Sequence, residues 1–161
     1  MLMSPRAKPQ EASPTSLGNL SGLIGYHIAQ ARVVSNDAFE RHITAKFDLR
    51  KVEFSLLTLL MANGPLAPKS LAAVLALSAP NLTLLLDRLQ ERDLLRRERN
   101  PRDGRSQYIV LTDNGRKTAA AAARAATAME QELHTGLTSA EHAMLIELLC
   151  KLARRPAPSA P

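Results

Sequence analysis

One stretch constrains this chain more than any other: residues 82–111, LTLLLDRLQERDLLRRERNPRDGRSQYIVL. Leu82, Leu85, Leu86 and Leu89 follow the i, i+3, i+4, i+7 spacing of one helix face. Arg92, Arg96, Arg97, Arg99, Arg102 and Arg105 then arrive in quick succession. The segment Asn100-Pro101-Arg102-Asp103-Gly104-Arg105-Ser106 has the Pro, Asp and Gly of a turn. Residues 94–99 and 107–111 on either side are short strand candidates. An amphipathic helix therefore leads straight into an arginine-rich hairpin.

The rest of the chain reads as helices. Over 17–44, apolar residues from Leu20 to Ile43 recur at helical spacing and predict one long helix. A second helix is expected from Asp48 to the stop at Asn63-Gly64-Pro65, and a short third over 68–75. Ser78 suits an N-cap and Pro80 a first turn, so the leucine helix follows directly. After the hairpin, Thr112 caps a helix running through the Ala-rich stretch to about His134, and Thr138 or Ser139 caps a last one ending near Arg154. Residues 1–16, with Pro5, Pro9 and Pro14, and residues 155–161 read as flexible tails. With aromatics at only 3% and no Trp, the core must be built from Leu, Ala, Ile and Val, which again favours helices.

Charge narrows the function. The net charge is +6, and between Arg88 and Lys117 nine Lys/Arg stand against five Asp/Glu, so most of the excess sits around the hairpin. Enzyme classes find no support. His27, His42, His134 and His142 have no metal-ligand companion at short spacing, and there is no phosphate-binding glycine loop and no nucleophile motif. No cofactor or metal is expected. Cys150 is the single cysteine, which fits a reducing, cytoplasmic compartment. It stands between Leu149 and Leu152 as a packing residue. The N-terminus lacks the apolar core of a signal peptide, and no apolar run approaches the roughly 20 residues of a membrane span.

Two short helices, a turn, an amphipathic helix and a hairpin make a winged helix-turn-helix. The expected fold is mainly α with a small β-hairpin wing, joined to a helical dimerisation region. The DNA-binding domain spans 48–116 and the dimerisation region 17–47 and 117–154. The leucine helix buries one face and offers its first turn and polar face, Ser78, Pro80, Asn81, Thr83 and Arg88, to a major groove. The hairpin arginines, Arg102 and Arg105 among them, suit phosphates or a narrow minor groove. A winged helix used only for protein contact is the alternative.

The motifs Leu86-Asp87-Arg88-Leu89, Asp93-Leu94-Leu95-Arg96-Arg97, Asn100-Pro101-Arg102-Asp103-Gly104-Arg105 and Leu111-Thr112-Asp113-Asn114-Gly115 resemble those of the multiple antibiotic resistance regulator (MarR) family. The resemblance implies a homodimeric transcriptional regulator, usually a repressor, on a pseudo-palindromic operator of double-stranded DNA. It implies that Asp103 anchors the wing tip, that Arg105 enters the minor groove, and that Arg88 on the recognition helix pairs with the wing Asp. Asp93 departs from the family, which has Gly at a turn that often needs positive φ. Leu84 also stands where groove-facing polarity is expected. It either touches a thymine methyl or is buried.

The family's effectors are small aromatic carboxylates or aromatic acyl thioesters, bound where the first, second and post-wing helices meet the DNA-binding lobe. Tyr26, His27, Arg32, His42 and Arg50 are the candidates, since His and Arg around an apolar cavity suit a planar carboxylate. The histidines read equally as surface or dimer contacts, and Arg50 with Lys51 as phosphate contacts. The long amphipathic terminal helices exceed what one small domain can cover, which supports a dimer. The alanine run 119–123 reads either as a site of close helix approach or as helix filler.

Overall fold

Leucine periodicity and N-caps set most of the element boundaries. The computed structural model describes residues 15–100 and 103–154, and only the backbone of residue 100 and residues 103–106. The chain falls into two compact units, one ending at Val34 and one beginning at Ser35. In the first, the long helix expected from residue 17 starts later. Gly18–Gly22 forms a 3-10 helix with Gly18 at φ +52°, and α1 (Ile24–Phe39) follows after the extended Leu23. Two glycines in five residues are poor α-helix formers, which accounts for the tighter turn.

In the second unit α1 passes into a π turn, Glu40–Thr44, and then α2 (Ala45–Phe47). Asp48 takes φ 51° and ends that path, so the next helix starts not at Asp48 but as α3 (Lys51–Asn63). Asp48 tolerates the left-handed region better than most residues, because its short side chain bonds locally. Next come α4 (Pro68–Leu75) and α5 (Ala79–Glu91), followed by β1 (Leu95–Asn100) and β2 (Asp103–Leu111). The unit closes with α6 (Asp113–Leu133) and α7 (Ser139–Leu152). The hairpin is longer than turn chemistry suggests. β2 begins at Asp103, and the ladder runs from Leu95–Leu111 out to Asn100–Asp103 past an irregularity at Arg99/Asn100. Leu66 adds a two-bond bridge to Ile109 at 3.1 and 2.8 Å, which ties the α3–α4 link to the sheet.

The core is aliphatic. Leu56, Leu57 and Leu60 of α3, Leu71 of α4 and Leu82, Leu85, Leu86 and Leu89 of α5 are buried together with Leu95 and Ile109 of the hairpin. Ala119 and Ala122 of α6 are 1% and 0% exposed and belong to this core, so these two alanines pack rather than merely fill the helix. The expected order of helix, turn, amphipathic helix and wing is present: the fold is a winged helix-turn-helix.

The turn leaving α5 is a Schellman motif. The Asp93 N–H donates to Gln90 O at 2.9 Å and the Leu94 N–H to Leu89 O at 2.9 Å, with Asp93 at φ 52°. Asp therefore keeps the shape that Gly would give. The start of α6 is fastened to this turn. The Thr112 hydroxyl donates to Asp93 O at 2.6 Å and accepts from the Gly115 N–H at 2.9 Å. Thr138 caps α7 as expected, in a reciprocal box with Glu141.

Candidate nucleic-acid interface

The groove-facing candidates of α5 come together on one exposed surface. Ser78, Pro80, Asn81, Thr83 and Arg88 are all exposed, on the side away from the buried leucines. Ser78 occupies the N-cap position with extended backbone (φ −69°, ψ 154°), but its side chain makes no cap hydrogen bond. The first turn of α5 is thus left without a side-chain cap, as an anion-binding helix end requires. Leu84 is exposed, not buried.

Arg88 does not stand alone. Its Nη1 lies 3.7 Å from Oε1 of Glu53, a carboxylate that is only 2% exposed. Glu53 also accepts the Arg50 N–H at 2.9 Å, closing the first turn of α3, and has Arg92 Nη1 at 3.7 Å. Arg92 in turn donates to the carbonyls of Asp48 and Phe47 at 2.8 and 3.2 Å. One buried acid and one arginine thereby bolt the end of α5 to the α2–α3 joint.

A second lock holds the wing. Arg97 of β1 donates to Asp87 at 2.5 Å and to Gln90 at 2.8 Å, fixing the hairpin's base against the helix. Arg96 pairs with Glu98 along the strand at 2.6 Å. Glu53, Asp87, Arg92 and Arg97 do not stand out in the sequence as site residues. Only Glu53, three positions after the N-cap Arg50, carries a recognisable capping signal. Among the described residues Arg88's ion-pair partner is Glu53; the expected pairing with the wing Asp, Asp103, lies outside the described residues. Arg102 lies outside the described residues, as do the side chains of Asp103 and Arg105, although the backbone of the latter two belongs to β2.

The effector candidates divide between the units. In the first, Tyr26 and His27 pack edge to face with centroids 5.4 Å apart, His27 Nε2 lies 2.8 Å from Ser21 O, and Arg32 is exposed. In the second, Arg50 is exposed at the head of α3. His42 Nε2 meets Glu132 Oε2 of α6 at 2.8 Å, while Arg41 holds the other oxygen. The His42 bond, and then Arg41, hold the Glu132 carboxyl below its usual range. That interaction is complete above the ordinary carboxylate pKa and fades as pH falls through the lowered one. Clefts of about 530 and 320 Å³ open beside the wing base and between α6 and α7. They are lined by other residues, Arg96 and Asn114 in the first and His134 and His142 in the second. Among the described residues no group of three or more His, Cys, Asp or Glu is placed to hold a metal, and no single helix is long and apolar enough to cross a membrane.

Residues 49–107 match the model of the MarR family. Over 152 residues, 93% of this chain and 92% of the relative, the sequence is 25% identical to the "Putative transcriptional regulatory protein for hcr operon" of Thauera aromatica. It is 30% identical over 95 residues to the HTH-type transcriptional regulator MgrA of Staphylococcus aureus, covering 59% of this chain and 65% of that one. The transcriptional repressor CouR, solved bound to a 23-mer DNA duplex, superposes with a TM-score of 0.81 at 35% identity, over 88% of this chain and 100% of CouR.

Proposed function

The chain belongs to the MarR family of DNA-binding transcriptional regulators, and we propose that it is a homodimeric repressor released from a pseudo-palindromic operator by a small aromatic carboxylate or its thioester. The observation that carries the DNA part is the exposed polar face of α5 with the arginine-rich wing locked beside it through Arg97 and Asp87. In this reading Ser78, Pro80, Asn81, Thr83 and Arg88 enter the major groove, while Arg102 and Arg105 reach the backbone and minor groove and Asp103 anchors the tip. CouR, a repressor solved bound to a 23-mer DNA duplex, supports the DNA-binding part of this reading.

The dimer rests on unpartnered apolar surface. α7 has no buried residue, and Met144, Leu145, Ile146, Leu148, Leu149 and Leu152 are all exposed along it. In the first unit Leu20, Leu23, Ile24 and Ile28 are exposed likewise. Full burial of such side chains stabilises by roughly 1.5–3 kcal/mol each, enough to drive tight self-association. Two-fold symmetry then presents two recognition helices to two half-sites.

The effector part rests on Tyr26, His27, Arg32, His42 and Arg50. His42 already receives a carboxylate oxygen at 2.8 Å from Glu132, which is the chemistry an aromatic carboxylate would use. An effector favouring a dimer shape with the wrong spacing of recognition helices lowers DNA affinity by its preference for that shape.

The test is a titration of the purified protein against the DNA upstream of its own gene, with and without a panel of aromatic acids and their thioesters. Tight binding that one compound releases is the expected result. Tight binding that none releases removes the effector reading and leaves the DNA-binding one. Failure to bind any duplex even at low salt favours a winged helix that contacts protein instead.

A further inference from the structure

Leu84 is 63% exposed, more than any other large apolar side chain among the described residues. Most of its rivals, such as Ile24, Val34, Met144 and Leu148, lie on the terminal helices, where a second copy accounts for them. Leu84 is on α5, whose inward leucines at 82, 85, 86 and 89 are at most 3% exposed. At 100° per residue it points directly away from that stripe, one turn after Pro80 and one turn before Arg88. It is the centre of the face assigned above to the major groove.

A lone exposed leucine elsewhere would need no explanation. Here its chemistry selects its partner. Leucine neither donates nor accepts a hydrogen bond, so it cannot read the N7, O6, O4 or amino groups of base edges. The one apolar group that unmodified DNA presents in the major groove is the 5-methyl of thymine. Packing on it removes apolar surface from both partners, whereas a cytosine there leaves the leucine against a polar edge.

We propose that Leu84 is a specificity-determining residue that packs on a thymine 5-methyl group and so requires an A·T pair at one fixed position of each operator half-site. This rests on the DNA-binding reading above. It adds an apolar contact to a face otherwise reading hydrogen-bonding groups.

The full-length protein selects its preferred duplex from a random-sequence library, and each thymine is then replaced singly by deoxyuridine. That exchange removes one methyl and keeps every hydrogen-bonding group. At one position per half-site, the exchange is expected to weaken binding about fourfold, the effect of losing one buried methyl. The exchange elsewhere leaves affinity unchanged. Leu84→Ala, at a position outside the core, keeps the thermal unfolding of the wild type, binds the thymine duplex several-fold more weakly and no longer distinguishes thymine from uracil. Tight binding that is indifferent to every exchange overturns the proposal and leaves the DNA reading standing. A Leu84→Ala protein that keeps the thymine preference overturns it equally. Recovery of no duplex at all removes both.

Discussion

Gly115→Ala destabilises this protein by at least about 3 kcal/mol, more than an ordinary surface substitution by a wide margin. A Cβ built on Gly115 lies 1.7 Å from the Leu94 carbonyl oxygen and 2.7 Å from its carbon. Both are backbone atoms, so no rotamer change relieves the overlap. The same carbonyl accepts the Thr112 N–H at 3.3 Å, and the Gly115 N–H is held by the Thr112 hydroxyl. Moving α6 away therefore breaks the joint that fastens it to the turn after α5 and to the start of the wing. At about 2–4 °C per kcal/mol for a chain of this size, the melting temperature falls on the order of 10 °C. Thermal unfolding followed by circular dichroism measures this, with wild type and variant at equal concentration because the proposed dimerisation would make the midpoint concentration-dependent. Lys117→Ala, two residues further along and exposed, is the control and shifts stability within about 0.5 kcal/mol. A Gly115→Ala protein as stable as that control would show that α6 does not sit against Leu94.

Glu53→Ala carries the second large effect, a loss of about 2–4 kcal/mol. Three contributions combine. The Arg50 N–H loses its acceptor, the buried side chain leaves a hole, and Arg88 and Arg92 lose the negative charge that both approach at 3.7 Å. The last is the smallest, since both guanidinium groups are partly exposed and the separation is long. Glu53→Gln separates them, because an amide oxygen still caps α3 and fills the site. It is expected to cost about 1 kcal/mol. Urea unfolding of the two variants gives the comparison. Equal losses would mean that charge rather than the cap governs the site, and a neutral Glu53→Ala would refute the buried lock.

Much of this architecture is legible in the sequence because local and long-range preferences agree there. The leucines of α5 repeat on one face, Ser78 and Pro80 mark its start, and Thr112 and Thr138 cap the helices after them. Those elements begin within a residue of expectation. The beginning of the chain misleads because apolar periodicity continues through a segment that Gly18 and Gly22 divert into a 3-10 turn, and through the π turn at Glu40–Thr44. The wing is longer than its Pro, Asp and Gly suggest, since β2 begins at Asp103, which pairs with Asn100 past the register shift.

The candidate site divides in the same way. Exposure of Asn81, Thr83 and Arg88 follows from helix geometry alone. The role of Glu53 does not, because its charged partners Arg88 and Arg92 come from the end of α5 and the turn after it, far along the chain, and a charged residue in a first turn usually faces water. Asp87 and Arg97 belong to separate motifs, and only the fold shows them to be one ion pair. Leu84 was undecidable, since a leucine in a leucine-rich helix fits core and groove alike.

The most direct measurement of the central claim is the salt dependence of binding to the selected duplex by wild type and Arg105→Ala. A regulator that places α5 in the major groove and Arg105 of its wing against DNA gives a log K that falls linearly with log salt, and Arg105→Ala weakens binding while making the slope shallower by about one per subunit. No binding even at about 50 mM salt, or an Arg105→Ala protein with unchanged affinity and slope, would contradict it.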